Sequence, residues 1–149
     1  MHPGEVDSDA LAFFNDLSGR LQIELTEPPQ REGNLLNLAA PPTARLVNLH
    51  VEWRVYEDDG TRPLRDDEWN RTVMRAPALH LRGEAGEPVE HTPRSPGVFT
   101  VRDLATAIEE TERRTRGDTD WSGGIDVHHV YYEGIEAEED GSWSVSWGS

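Results

Sequence analysis

Residues 46–56, LVNLHVEWRVY, alternate strictly. Val47, Leu49, Val51, Trp53 and Val55 point one way, and Asn48, His50, Glu52 and Arg54 point the other. Side chains on a strand repeat every two residues, so this segment is a β-strand with one buried and one wet face. The rest of the chain must therefore supply an apolar cover for that face. EDDG follows with turn chemistry. LQIEL repeats the pattern with Leu21, Ile23 and Leu25 inward, and WNRTVMR and ALHLR read as further strands.

Two segments carry the helical period instead. Ala10, Phe13, Phe14 and Leu17 predict a helix over 8–18, with Asp7 or Ser8 as its cap and Gly19 as a left-handed stop. The second helix starts at Thr100. Asp103, three residues on, completes a capping box, and Phe99 with Leu104 forms a hydrophobic staple. Val101, Leu104, Ala105 and Ile108 make its buried stripe. Glu109 with Arg113, Glu110 with Arg114, and Glu112 with Arg116 are acid-first i, i+4 pairs, each contributing about 0.2–0.5 kcal/mol. Pairing this regular reads as a solvated helix face.

Proline, glycine and charge exclude regular structure from 26–44 and 83–97, which read as long surface loops of a single domain spanning 1–149. Strands and helices are segregated along the chain. The expected class is therefore α+β: an antiparallel sheet with both helices on its tryptophan-bearing face, ending in a β-hairpin.

The hairpin register follows from its apolar pattern. A three-residue loop, Glu139-Asp140-Gly141, pairs Ala137 with Trp143, Ile135 with Val145 and Glu133 with Trp147, with Gly141 in the left-handed position. Continued backward as a strand, this register puts Ile125, Val127, His129, Tyr131, Glu133 and Ile135 on the tryptophan face. Asp126, His128, Val130 and Tyr132 fall on the other. On a regular strand the adjacent histidines of DVHHVYYEG point apart, and His129 stands about 13 Å from Glu133. Any metal or acid/base site would then use Asp126 and His128, with His50 from the strongest strand as third ligand. The same histidines read more simply as strand residues, and no cofactor is called for.

Composition bounds the function. The 149 residues include no cysteine, which removes disulfides, zinc–thiolate sites and thiol catalysis. A net charge of −15, from 29 acids and 14 bases that are all arginine, disfavours nucleic acid and anionic membranes. The acidic start and the lack of a long apolar run imply a cytoplasmic protein. No phosphate-binding loop or nucleophile elbow occurs, so the reading is non-enzymatic. From Gly117 onward eight acids meet no arginine. Asp118, Asp120, Glu136, Glu138, Glu139 and Asp140 thus form an acidic lobe suited to a basic protein partner. An inhibitor, immunity protein or adaptor is the expectation, and a small-ligand site using His128, Asp126 and His50 is the alternative.

Overall fold

In the computed structural model, residues 5–27, 43–119 and 124–149 are described. Among them are three helices and ten strands in two sheets, a single α+β domain. The order is β1 (Glu5–Val6), α1 (Ser8–Asn15), β2 (Ser18–Leu25), β3 (Leu46–Glu57), β4 (Gly60–Arg62), α2 (Asp66–Trp69) and β5 (Thr72–Arg75). It continues with β6 (Leu79–Arg82), β7 (Val89–His91), β8 (Val98–Thr100), α3 (Val101–Thr115), β9 (Tyr131–Ala137) and β10 (Trp143–Gly148). The larger sheet runs β4-β3-β2-β9-β10-β6-β7, and β1-β5-β8 form a small second sheet. Pairing is antiparallel except between β10 and β6. The chain between those two includes α3, the crossover that a parallel pair requires. No helix among the described residues is long and apolar enough to cross a membrane.

α1 is capped by Asp7, whose side chain accepts from the amides of Asp9 and Ala10. It stops at Asn15, earlier than its apolar spacing implies, and Gly19 lies inside β2. The glycine there serves packing, because a Cβ would come within 2.8 Å of both the Trp53 ring and Tyr132 Cβ. Phe14 enters the gap they frame, its ring centroid 5.5 Å from each. Tyr132 in turn meets Trp147 edge-on at 5.9 Å. These four aromatic residues are the centre of the cover that β3 requires.

β3 departs from strict alternation at its start. Ile23 pairs with Leu49 and Glu24 with Asn48, but Leu25 pairs with Leu46. Val47 is the extra residue of that irregularity and is 56% exposed, while Leu46 packs against the core. On its opposite edge β3 pairs with β4 only at residues 55–57, and around Leu49 and Val51 that edge is closed by α3. Val51 N–H donates to Glu109 Oε1 at 2.8 Å, and Arg113 Nε donates to the Leu49 carbonyl at 2.7 Å. Helix side chains here stand in for a missing neighbour strand and blunt an edge open to aggregation.

The capping box at Thr100 and Asp103 forms, and the Val101, Leu104, Ala105 and Ile108 stripe is buried. The solvated-face reading of EETERRTR needs correction, because Glu109 and Arg113 reach the sheet and Glu112 and Arg116 are fully buried. The 83–97 segment also needs correction. It contains β7, a three-residue edge strand paired with β6 and tied to α3 by His91 Nε2 and Thr111 Oγ1 at 2.7 Å. Of the 26–44 segment, residues 28–42 lie outside the described residues.

The hairpin carries the predicted pairs Trp143–Ala137 and Val145–Ile135, with Gly141 at φ +90°. Beyond them the register shifts, so Trp147 opposes Tyr132 and not Glu133. The shift falls at Gly134 (φ +112°), where Asn15 of α1 acts as a surrogate strand. Its Oδ1 accepts from Ile135 N–H at 3.0 Å and from the Tyr132 hydroxyl at 3.1 Å, and its Nδ2 donates to the Ile135 carbonyl. The bulge exchanges faces. Tyr132 is buried, and Tyr131 and Glu133 face solvent.

α2 gives one prediction. Arg62 grips Glu68 bidentately, both contacts at 2.8 Å, and the Arg65 amide donates to the same carboxylate. The Arg62 hydrogen bonds hold the Glu68 carboxyl down at about 2, against the opposing effect of burial. A carboxyl depressed on folding contributes stability above its ordinary value of 4.5, which is lost as pH falls from there toward 2. Glu68→Gln should therefore destabilise at pH 7, and its difference from wild type in urea midpoint should shrink steadily below pH 4.5. A difference that stayed constant with pH would assign the loss to packing.

Candidate functional site

The buried stripe of α3 does not end at Ile108. One helical turn on come Thr111 and Glu112, and another turn on come Thr115 and Arg116, all buried. Polar side chains on a buried stripe need partners, and the segment after the helix supplies them. Arg116 is wholly inaccessible. Its Nε donates to Glu112 Oε1 at 2.8 Å, and its Nη1 donates to the His129 carbonyl at 2.9 Å and lies 3.7 Å from Asp126 Oδ2. The guanidinium lies over the Trp147 ring at 5.6 Å. Nη2 has no hydrogen-bond partner among the described residues.

Residues 125–130 are not a strand. Asp126, 1% exposed, folds them into a tight turn, its Oδ1 accepting from the amides of His128 (2.8 Å) and His129 (3.1 Å). Its Oδ2 meets His129 Nδ1 at 2.7 Å. Burial works to raise the Asp126 carboxyl, but the two amides and the His129 ring outweigh it and hold the group below its ordinary range. It is a carboxylate, which only accepts, so Nδ1 of His129 carries the proton.

The third participant comes from the segment after β6. Glu112 Oε2 accepts from the Glu84 amide at 3.1 Å. The approach is possible because residue 83 is glycine, where a Cβ would lie 2.1 Å from that oxygen. The Glu84 side chain is thereby held near Asp126 and His129, and one ligand atom from each of the three lies within 4.8 Å of the others. Partial loss of water raises the Glu84 carboxyl although the residue is exposed overall, and the Asp126 and Glu112 charges push the same way, against Arg116 and His129.

The structure thus brings together Asp126 with His129 and Glu84, where the strand reading joined Asp126 to His128 and His50. His128 donates its amide to Asp126, and its ring lies against the His129 ring at 5.2 Å. His50 is exposed on β3, opposite Gln22. Sequence reading missed His129 because the turn at Asp126 breaks the strand parity that assigned it elsewhere. It missed Glu84 because nothing local marks that residue.

The acidic-lobe residues are at the surface. Asp118 follows α3, and Glu136, Glu138, Glu139 and Asp140 surround the hairpin tip, all exposed; Asp120 lies outside the described residues. Asp140 is not without a counter-charge, since Arg82 of β6 stands 3.6 Å away. The Ser142 hydroxyl and amide hold its carboxyl below the ordinary range. Glu138 accepts from the Ser144 hydroxyl. No family model, curated protein or solved structure matches this chain.

Proposed function

We propose that this chain is a cytoplasmic, non-enzymatic binding module of the inhibitor, immunity or adaptor type, and that it presents its C-terminal hairpin to a basic protein partner. One observation carries this reading: Glu136, Glu138 and Glu139 are exposed together on one hairpin, and no arginine among the described residues forms an ion pair with them. Two arginines that would dilute the surface charge are engaged elsewhere, Arg116 inside the protein and Arg62 with Glu57 and Glu68. Like charges held together cost stability at low salt, and a complementary surface relieves that cost. The same charge opposes nucleic acid and anionic membranes.

A labelled nona-arginine peptide provides a defined basic probe. Glu136→Gln, Glu138→Gln and Glu139→Gln together should weaken its binding at low salt by about 1–2 kcal/mol, on the order of tenfold. The matched control neutralises Asp58, Asp59 and Glu87, three exposed acids outside the hairpin. Equal weakening in both triple variants would reduce the effect to net charge and remove the hairpin as the interaction site.

A further inference from the structure

We infer that Glu84, Asp126 and His129 form a binding site for a first-row divalent cation such as Zn²⁺ or Mn²⁺. One imidazole and two carboxylates are a ligand set that such ions accept, and the three donor atoms lie within 4.8 Å of one another. The site is built by parts far apart in sequence. Asp126 is fixed by two amides, and Glu84 is held at its backbone by the buried Glu112. Three carboxyl groups, Glu84, Glu112 and Asp126, gather near one guanidinium, and Glu112 engages that guanidinium at 2.8 Å. Asp126 lies 3.7 Å from it, an almost wholly buried carboxylate whose Oδ2 meets the His129 ring at 2.7 Å. A buried carboxylate must be paired or coordinate a metal, and exchanging the His129 proton for an ion keeps Asp126 in that condition.

His129 Nδ1 and Asp126 Oδ2, 2.7 Å apart, are slightly closer than two ligands of one ion with bonds of about 2.0–2.2 Å. The ion takes the place of the proton between them. The Nδ1 proton is given up to solvent and Nε2 takes one, which leaves a neutral imidazole and a net balance of protons. Glu84, the exposed member, completes the protein ligands from the solvent side, and water fills the remaining positions.

Isothermal titration of the intact protein with Zn²⁺ and with Mn²⁺ tests this directly. One ion should bind per chain, with Zn²⁺ tighter than Mn²⁺. Glu84→Gln and His129→Gln, both at accessible side chains that leave the buried Glu112–Arg116 pair intact, should each weaken binding at least about tenfold. Pulsed electron paramagnetic resonance on the Mn²⁺ complex should show nitrogen coupling that disappears in His129→Gln. Absence of binding at millimolar metal would overturn the site. So would unchanged affinity in folded Glu84→Gln and His129→Gln, which would place the ion among other carboxylates such as those of the hairpin. Neither outcome bears on the binding of nona-arginine, so this site and the hairpin reading stand or fall separately.

Discussion

Replacing Arg116 by alanine is expected to destabilise the protein by about 3–5 kcal/mol, the loss typical of removing one partner of a buried ion pair. Arg116 and Glu112 are both wholly inaccessible, and Arg116 also carries the His129 carbonyl. Without the guanidinium, Glu112 is a buried carboxylate whose remaining donor is the Glu84 amide, and the turn around Asp126 loses its tie to α3. The pair itself contributes less than this number implies, since taking two ions out of water offsets most of their attraction. Glu112→Leu combined with Arg116→Met should therefore recover much of what Arg116→Ala loses. Urea midpoints decide: a loss below about 1 kcal/mol in Arg116→Ala would show that the pair opens readily to water.

Phe14→Ala should have a comparable effect, about 3–5 kcal/mol, because it empties the centre of the core. Phe14 is fully buried at 5.5 Å from both Trp53 and Tyr132, whose own rings meet edge-on at 4.9 Å, so no neighbour is free to collapse into the space. Its neighbour Phe13 is only half-buried, beneath the Arg71 guanidinium at 5.7 Å. Phe13→Ala should cost about 1 kcal/mol, since it loses a partly exposed cation–π contact and little enclosed area. Similar thermal shifts for the two variants would contradict this placement of the core.

These two residues also show how much of the fold is legible in the sequence. Phe14 was readable, because the helical period of Ala10, Phe13, Phe14 and Leu17 selects one face. Three of those four are buried in the structure and the fourth is half-buried. The strand faces of β2 and of β3 from Leu49 onward, the capping box of α3 and the hairpin register near Trp143 were readable for the same reason: each is a local pattern. Arg116 was legible in principle. Steps of four from Ile108 reach Glu112 and Arg116, so the buried stripe runs straight into the charged cluster. The tidy i, i+4 pairing suggested a solvated surface, and the same spacing puts both residues on the core side. What escaped are the places where one side chain breaks a local period from a distance. Asn15 inserts a bulge into β9 from 120 positions away and moves Tyr132 to the buried face. Asp126 folds a turn where alternation implied a strand, and so exchanges His128 for His129 at the site. Glu84 is placed by Glu112, 28 residues later, and carries no signal of its own.

The acidity of the hairpin tip was legible as composition, but its neutralisation was not. Arg82 reaches Asp140 only because β6 pairs with β10 across the sheet. This leaves Glu136, Glu138 and Glu139 as the acids on which the proposed interaction rests.

The most direct measurement is a titration of the isotopically labelled protein with nona-arginine, followed by amide chemical shifts at low and high salt. The hairpin reading predicts that the largest shifts fall on residues 136–141, and that they fade together as salt screens the contact. Shifts of equal size at the β3–β4 turn, where Asp58 and Asp59 are also exposed, would contradict it and leave net charge as the whole of the effect.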